Sequence, residues 1–202
     1  MASTLSFFRQ FLAHPLSTGA ISPSSSHLAR EMVSWFDWNQ TDVVVEFGPG
    51  TGAFTSEILR SKRELTRFFA IEQNPEFARL LGERFPQVTM YCDSVAHVAR
   101  LCAEEGLAGD TAGAGAIDAI VCGLPWAAFG AALQDELLAA TVELLRPGGR
   151  FATFAYLQGI LLPSGMRFAR KLKQAFGRVE TSRVVWRNLP PAFIYRCTKL
   201  AG

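Results

Sequence analysis

Apolar and polar positions alternate between two periods along most of the chain. Val43–Phe47 is a β-branched run ending in Gly48-Pro49-Gly50, the pattern of a strand buried on both faces and closed by a turn. Phe54–Leu59 follows with helical spacing. Arg67–Glu72 predicts a second strand, and Asn74-Pro75 opens a helix through about Arg84. Val88–Cys92 predicts a third strand, after which Asp93 and Ser94 cap a helix through Glu104. Ile117–Cys122 predicts a fourth strand, closed by Gly123-Leu124-Pro125-Trp126. A helix from about Gly130 to Leu145 stops at Pro147-Gly148-Gly149, and Phe151–Tyr156 is a fifth strand. The rhythm then changes. Arg178–Trp186 and Ala192–Lys199 are two strand-like runs joined by Arg187-Asn188-Leu189-Pro190-Pro191. No helix fits in so short a connection, so the pair forms an antiparallel hairpin. Five βα units and a hairpin predict an α/β fold: a doubly wound, mostly parallel, seven-stranded Rossmann-like sheet with helices on both faces. Ligands of such sheets bind at the carboxyl ends of the strands, near the switch point.

Ahead of this region, Leu5, Phe8, Phe11 and Leu12 fall on one face of a short helix, with Ser6, Arg9 and Gln10 away from it. Such a stripe serves either a helix lying in a membrane interface or one packed on the core. The expected organisation is an N-terminal amphipathic segment and lid over residues 1–38, followed by a catalytic domain over residues 39–202. A chain of 202 residues with 49% apolar content is no disordered chain and suits a single core. Its formal charge of +2 conceals a split. Residues 1–145 carry a net −8 and residues 146–202 a net +10, with Glu180 the only acidic residue of that third. The split suits an anionic partner or a solvated basic face. None of the four cysteines (Cys92, Cys102, Cys122, Cys197) has CxxC spacing. They suit buried thiols in a reducing cytosol better than disulfides or zinc. There is no signal-peptide pattern, and no apolar run reaches the roughly 18 residues of a spanning helix. Attachment to a membrane surface remains open.

The sharpest chemical signal is Glu46-Phe47-Gly48-Pro49-Gly50-Thr51-Gly52. Glycines at alternate positions after a buried strand let the backbone close on a ligand. A pyrophosphate fingerprint reads GxGxxG. Here the spacing is GxGxG, and a carboxylate lies two residues ahead of it. Glu46 repels phosphate and favours a cationic ligand, such as one carrying an ammonium and a sulfonium. Glu72 ends the second strand, where a carboxylate accepts both hydroxyls of a ribose. Asp93 follows the third strand, placed either to accept from an adenine amino group or to cap a helix.

These three acids and the glycine turn resemble motifs I, II and III of class I S-adenosylmethionine-dependent methyltransferases. Three further segments narrow the resemblance to the rhizobial-type bacterial phospholipid N-methyltransferases, which are themselves similar to rRNA adenine dimethylases. They are Gly19-Ala20-Ile21-Ser22-Pro23-Ser24-Ser25-Ser26-His27-Leu28-Ala29-Arg30, Gly123-Leu124-Pro125-Trp126, and Trp186-Arg187-Asn188-Leu189-Pro190-Pro191-Ala192. The resemblance implies S-adenosyl-L-methionine as cofactor and S-adenosyl-L-homocysteine as product. It implies a cofactor site of Ser24, Ser25, Glu46, Gly48, Gly50, Thr51, Glu72, Gln73, Asp93, Ser94, Gly123 and Leu124. It implies methylation of phosphatidylethanolamine and its mono- and dimethyl forms towards phosphatidylcholine, by a cytoplasmic protein bound peripherally to the inner face of the cytoplasmic membrane. No metal and no nucleic acid are expected as partners.

On the substrate side, Gly123 stands where enzymes that methylate nucleobase amines carry Asn or Asp. Only backbone carbonyls remain there to accept from an amine. The Trp126 ring suits an alkylammonium through cation–π attraction, or it is an ordinary core tryptophan. Tyr156, ending the fifth strand, is the candidate for positioning the head group. Arg187 and Asn188 lead the hairpin turn, and Arg187 suits a bidentate phosphate contact. Arg167, Arg170 and Lys171 share a helix face, with Lys173 further round. His14, His27 and His97 look peripheral, so no general base is assigned. Two alternatives stand beside the phospholipid reading. An RNA adenine N6-methyltransferase suits the basic third, although the sequence leaves no room after the hairpin for a helical RNA-binding domain. A non-catalytic cofactor-binding module fits less well with the intact motifs.

Overall fold

The computed structural model describes residues 24–107 and 115–200. The stripe at Leu5, Phe8, Phe11 and Leu12, and the lid expected from it, lie outside the described residues, as does most of the Gly/Ala-rich loop at 109–115. The elements are α1 (Ser26–Val33), β1 (Val43–Phe47), α2 (Ala53–Ser61), β2 (Arg67–Ile71), α3 (Pro75–Arg84), β3 (Thr89–Tyr91), α4 (Val98–Glu104), β4 (Ile117–Cys122), α5 (Ala131–Leu144), β5 (Leu145–Tyr156), α6 (Pro163–Ala175), β6 (Arg178–Thr181) and β7 (Ala192–Thr198). The sheet has seven strands in the order β3-β2-β1-β4-β5-β7-β6. β1 to β5 run parallel, and β7 is antiparallel to both β5 and β6. The expected fold class is therefore the observed one.

β1 and β4 are buried at every position, as continuous apolar runs under two helical layers should be. Val43, Val45 and Phe47 point to the face covered by α4, α5 and α6. Val44 points to the face covered by α1, α2 and α3. Residues 26–33, assigned from sequence to the N-terminal segment, are part of this second layer: Leu28, Ala29, Met32 and Val33 are fully buried. At the amino end of the sheet, Asp118 Oδ2 accepts from Asp42 N (2.9 Å) and Val43 N (2.7 Å), and Asp118 also pairs with Arg146. One carboxylate thus ties together the starts of β1, β4 and β5.

Several boundaries differ from the sequence expectation. β5 begins at Leu145: Leu145 faces Ile117 and Arg150 faces Ala119, so Pro147-Gly148-Gly149 sits in a bulge within the strand rather than in a loop before it. Gly148 N–H donates to the Lys199 carbonyl, which holds the bulge against the end of β7. β6 stops at Thr181, well short of Trp186. There the Ser182 hydroxyl accepts from Ile194 N (3.0 Å). A side chain thereby takes the place of a ladder carbonyl; the Ser182 N–H still donates to the Ile194 carbonyl, and the Val185–Ala192 bridge lies further along. β3 ends at Tyr91, which leaves Cys92 exposed, while Cys102, Cys122 and Cys197 are buried. A tight turn at Val95–His97 precedes α4, with the Ser94 side chain accepting from Ala96 N.

Candidate active site

β1 and β4 end side by side, and the turn after β1 bends over the end of β2. Gly48, Gly50 and Gly52 all have positive φ (64°, 55° and 80°). At Gly52 the left-handed backbone starts α2, and a Cβ there would come 2.7 Å from both Leu81 of α3 and Phe85 just after it. Glycine is required twice over. At Gly50 a Cβ would meet nothing within 4 Å, so that part of the turn borders open space.

A cavity of about 130 Å³ lies at this carboxyl-end rim. Gly48, Glu72, Gln73, Asp93 and Ser94 form its polar side. Ile71, Val95, Leu124, Phe129, Leu133 and Leu137 form its apolar side. The sequence did not single out Ile71, Val95, Phe129, Leu133 or Leu137, because apolar residues in strands, helices and turns carry no signal that separates a ligand wall from a core.

Glu72 is buried, and each of its oxygens holds one backbone N–H: Oε2 accepts from Gly50 (3.0 Å) and Oε1 from Asn74 (2.9 Å). Its carboxyl couples the glycine turn to the start of α3 and keeps further acceptor capacity on both oxygens. Burial raises its pKa, against the opposing pull of those N–H groups. Asp93 is tied differently. Oδ1 accepts from Ser94 N (2.6 Å) and lies 2.7 Å from His97 Nδ1, and Oδ2 pairs with Arg100. The His97 hydrogen bond is the main reason its pKa is lowered. His97 is therefore attached to the cavity's polar side rather than remote from it. The i, i+4 spacing of Asp93 and His97 was the available signal.

Glu46 lies behind the turn, fully buried and outside the cavity lining. Its side chain points toward α2, where Thr55 Oγ1 donates to Oε2 (2.7 Å). Among the described residues Oε1 has no hydrogen-bond partner. Desolvation is the main cause that pushes its pKa up to about 8, with the nearby Glu72 charge adding to it. Among the described residues neither Glu46 nor Glu72 is in an ion pair. Two close buried carboxyls without a basic partner suit a cationic ligand. A ligand with an ammonium, a ribose and a flat apolar base fits this combination of an orphaned acceptor, a Glu72 carboxylate and an apolar wall.

The remaining expected cofactor residues sit around this centre. Thr51 is exposed, and its carbonyl accepts from Arg84 Nη1 (3.1 Å). Gly123 N–H donates to the Phe47 carbonyl (2.7 Å), and a Cβ on Gly123 would overlap the Gly48 carbonyl oxygen. The glycine in place of Asn or Asp thus has a steric cause: β1 and β4 end too close together for a side chain. Ser24 and Ser25 lie instead beside the 187–191 turn. Ser25 caps α1, and its N–H donates to Asn188 Oδ1 (2.9 Å).

Two of the substrate-side residues are held by protein contacts. Trp126 is only 3% exposed and stacks on Phe168 at 4.7 Å between ring centroids, with Phe129 and Phe151 edge-on. Phe168 covers one face of the ring, as the core-tryptophan alternative expects. Asn188 is also buried, with its amide donating to the Pro190 carbonyl (2.7 Å). Its amide oxygen holds the turn to the cap of α1, and its nitrogen closes the turn on itself. Arg187 is exposed and reaches His27 Nε2 at 3.1 Å. Two of the sequence segments that carried the narrower resemblance therefore form one corner. Tyr156 is half-buried at the end of β5, against Phe154, and burial raises its pKa.

No family model matches the chain. An ornithine lipid N-methyltransferase from Singulisphaera acidiphila is 31% identical over 194 residues, spanning 95% of this chain and 93% of that protein. The chain belongs to the class I S-adenosylmethionine-dependent methyltransferases. S-adenosylmethionine is its cofactor. A ribosomal RNA small subunit methyltransferase A from Chlorobium phaeobacteroides matches the methyltransferase over only 64 residues, 32% of this chain and 23% of that one. The fold is that of an S-adenosylmethionine-dependent O-methyltransferase from Thermotoga maritima (TM-score 0.65, 18% identity, covering 95% of this chain and 72% of that one). Among the described residues of the methyltransferase, no helix is long and apolar enough to cross a membrane, and no cluster of His, Cys, Asp or Glu is placed to hold a metal.

Proposed function

We propose that the chain is a lipid N-methyltransferase, transferring methyl groups to the primary amine of an aminolipid head group at a membrane surface. The observation that carries this is the 31% identity to an ornithine lipid N-methyltransferase over nearly the full length of both proteins. Ethanolamine and ornithine head groups both present a primary amine, so phosphatidylethanolamine and ornithine lipid are the two substrates to compare. The reading keeps phosphatidylethanolamine and its mono- and dimethyl forms as the first choice, because Arg187 is an exposed guanidinium at the rim, suited to a head-group phosphate.

The bound cofactor supplies an activated methyl on a sulfonium, so the chain's residues need only bind, orient and exclude water. Glu72 holds the ribose hydroxyls on the oxygens that already fix the turn. Asp93, held by His97 and Arg100, accepts from the adenine amino group while Ile71, Val95 and Leu137 cover the ring. Glu46 meets the methionyl ammonium. The Gly123 and Leu124 region offers backbone carbonyls to the acceptor amine, and the half-buried Tyr156 hydroxyl orients it.

The test is methylation of phosphatidylethanolamine and of ornithine lipid in matched detergent micelles, with products read by mass spectrometry. Stepwise gain of methyl groups on either lipid supports the reading, and preference between the two settles the head group. No methylation of either one overturns it.

A further inference from the structure

Two segments carry exposed apolar side chains on the rim that holds the candidate active site. The first is the turn after β5 and the start of α6, where Leu161 (83% exposed), Leu162 and Met166 face outward. The second is the 182–191 connection, where Trp186 (68%) and Leu189 (73%) do the same. They are neighbours. Leu157 N–H donates to the Pro191 carbonyl (2.8 Å), and Tyr156 pairs with Ala192. Both lie at the carboxyl ends of the parallel strands. α6 reaches the site side as well, because Phe168 stacks on Trp126 just beyond β4. Basic residues flank the apolar ones: Arg170 on α6, and Arg183 and Arg187 on the connection, all exposed. The first two form no ion pair among the described residues. Glu180, the only acid between residue 146 and the end, is held by Arg178.

We propose that this rim is the docking surface for an anionic bilayer, with Leu161, Leu162, Met166, Trp186 and Leu189 inserted at the interface and Arg170, Arg183 and Arg187 against lipid phosphates. The inference rests on the lipid reading above and adds which face meets the membrane. Exposed apolar residues gathered on one rim mark an interaction surface. Tryptophan prefers the head-group level, where its ring is buried and its N–H stays wet. Arginines around such a patch match a negative leaflet. The location serves the chemistry too. A head group anchored in the bilayer can enter a site at the strand ends only if that rim faces the lipid.

The experiment is co-sedimentation of the full chain with phosphatidylglycerol vesicles and with phosphatidylcholine vesicles, for wild type, Leu161→Glu/Leu189→Glu and Phe8→Asp/Phe11→Asp. Wild type should bind phosphatidylglycerol vesicles more tightly, and salt should weaken the binding. The Leu161/Leu189 variant should lose about tenfold in partitioning for each apolar side chain removed. Both positions are exposed, so its thermal melting, its S-adenosylhomocysteine affinity and its methylation of micellar lipid should stay at wild-type levels. In a second measurement, vesicles with brominated acyl chains should quench wild-type tryptophan fluorescence, and Trp186→Phe should remove that quenching. Unchanged sedimentation of the Leu161/Leu189 variant overturns the proposal. So does loss of binding only in the Phe8/Phe11 variant, which assigns docking to the N-terminal segment. If wild type methylates micellar lipid but binds no vesicle, docking fails and the lipid reading stands. Rim-dependent vesicle binding without methylation of any lipid leaves the docking face intact and removes the lipid reading.

Discussion

Glu46→Gln separates the two roles that burial gives this residue. Glu46 is fully buried and accepts from the Thr55 hydroxyl, and its Oε1 is unpartnered among the described residues. Its pKa in the folded chain is about 8 against an ordinary 4.5, chiefly through desolvation. A carboxyl whose pKa is raised on folding contributes stability that is fully present below pH 4.5 and is lost as pH rises through 8. At about 1.36 kcal/mol per pH unit, that loss is roughly 5 kcal/mol across the window from 4.5 to 8. Glutamine keeps the shape and the acceptor for Thr55 but cannot ionise. Urea unfolding at pH 5, 6, 7 and 8 should therefore show the variant gaining on wild type as pH rises, by up to that amount. Cofactor binding should move the opposite way. An ammonium against Glu46 needs the carboxylate, so wild-type affinity for S-adenosylhomocysteine should rise about tenfold per pH unit between pH 6 and pH 8, with release of a proton on binding. The variant should bind more weakly by about 1–3 kcal/mol, with little pH dependence. Calorimetry in buffers of different ionisation enthalpy counts the proton. A wild-type affinity that is flat over this range, or a variant that binds as tightly as wild type, refutes the reasoning.

Gly123→Ala should cost about 1–3 kcal/mol of stability by overpacking against the Gly48 carbonyl, measured by urea unfolding; a change within about 0.5 kcal/mol shows that the strand ends can separate. Trp126→Ala should destabilise by about 3–5 kcal/mol as a core cavity, and Trp126→Phe should keep most activity, since the ring works by stacking on Phe168; a specific rise in KM for the lipid with unchanged stability returns the residue to the substrate site. Asn188→Ala should lose about 1–3 kcal/mol, because it empties the place of a buried amide and strips a partner from the part-buried Ser25 N–H, while leaving the affinity for S-adenosylhomocysteine unchanged in calorimetry.

Strands and their order of appearance were readable because a two-faced parallel sheet forces long apolar runs, as in Val43–Phe47 and Ile117–Cys122. The acids at the strand ends were readable because the GxGxG turn fixes where β1 stops. What the sequence did not disclose depends on contacts far apart in the chain. The pairing of Asn188 with Ser25 spans the whole domain, and periodicity cannot see it. The partner of Glu46 proved to be Thr55, on the helix that the glycine turn launches. Trp126 was ambiguous for a physical reason: a tryptophan beside a strand end looks the same from sequence whether its neighbour is Phe168 or a substrate. β6 ends where the Ser182 hydroxyl stands in for a backbone carbonyl, a substitution that no residue pattern announces.

The central claim is that the methyl acceptor is a lipid amine. Its most direct test gives the full chain radiolabelled S-adenosylmethionine together with aminolipid micelles and 16S ribosomal RNA in one reaction, followed by phase separation. The account predicts label in the organic phase, on the amine of the head group, and none above background in the RNA. Label in the RNA with an unlabelled lipid phase contradicts it.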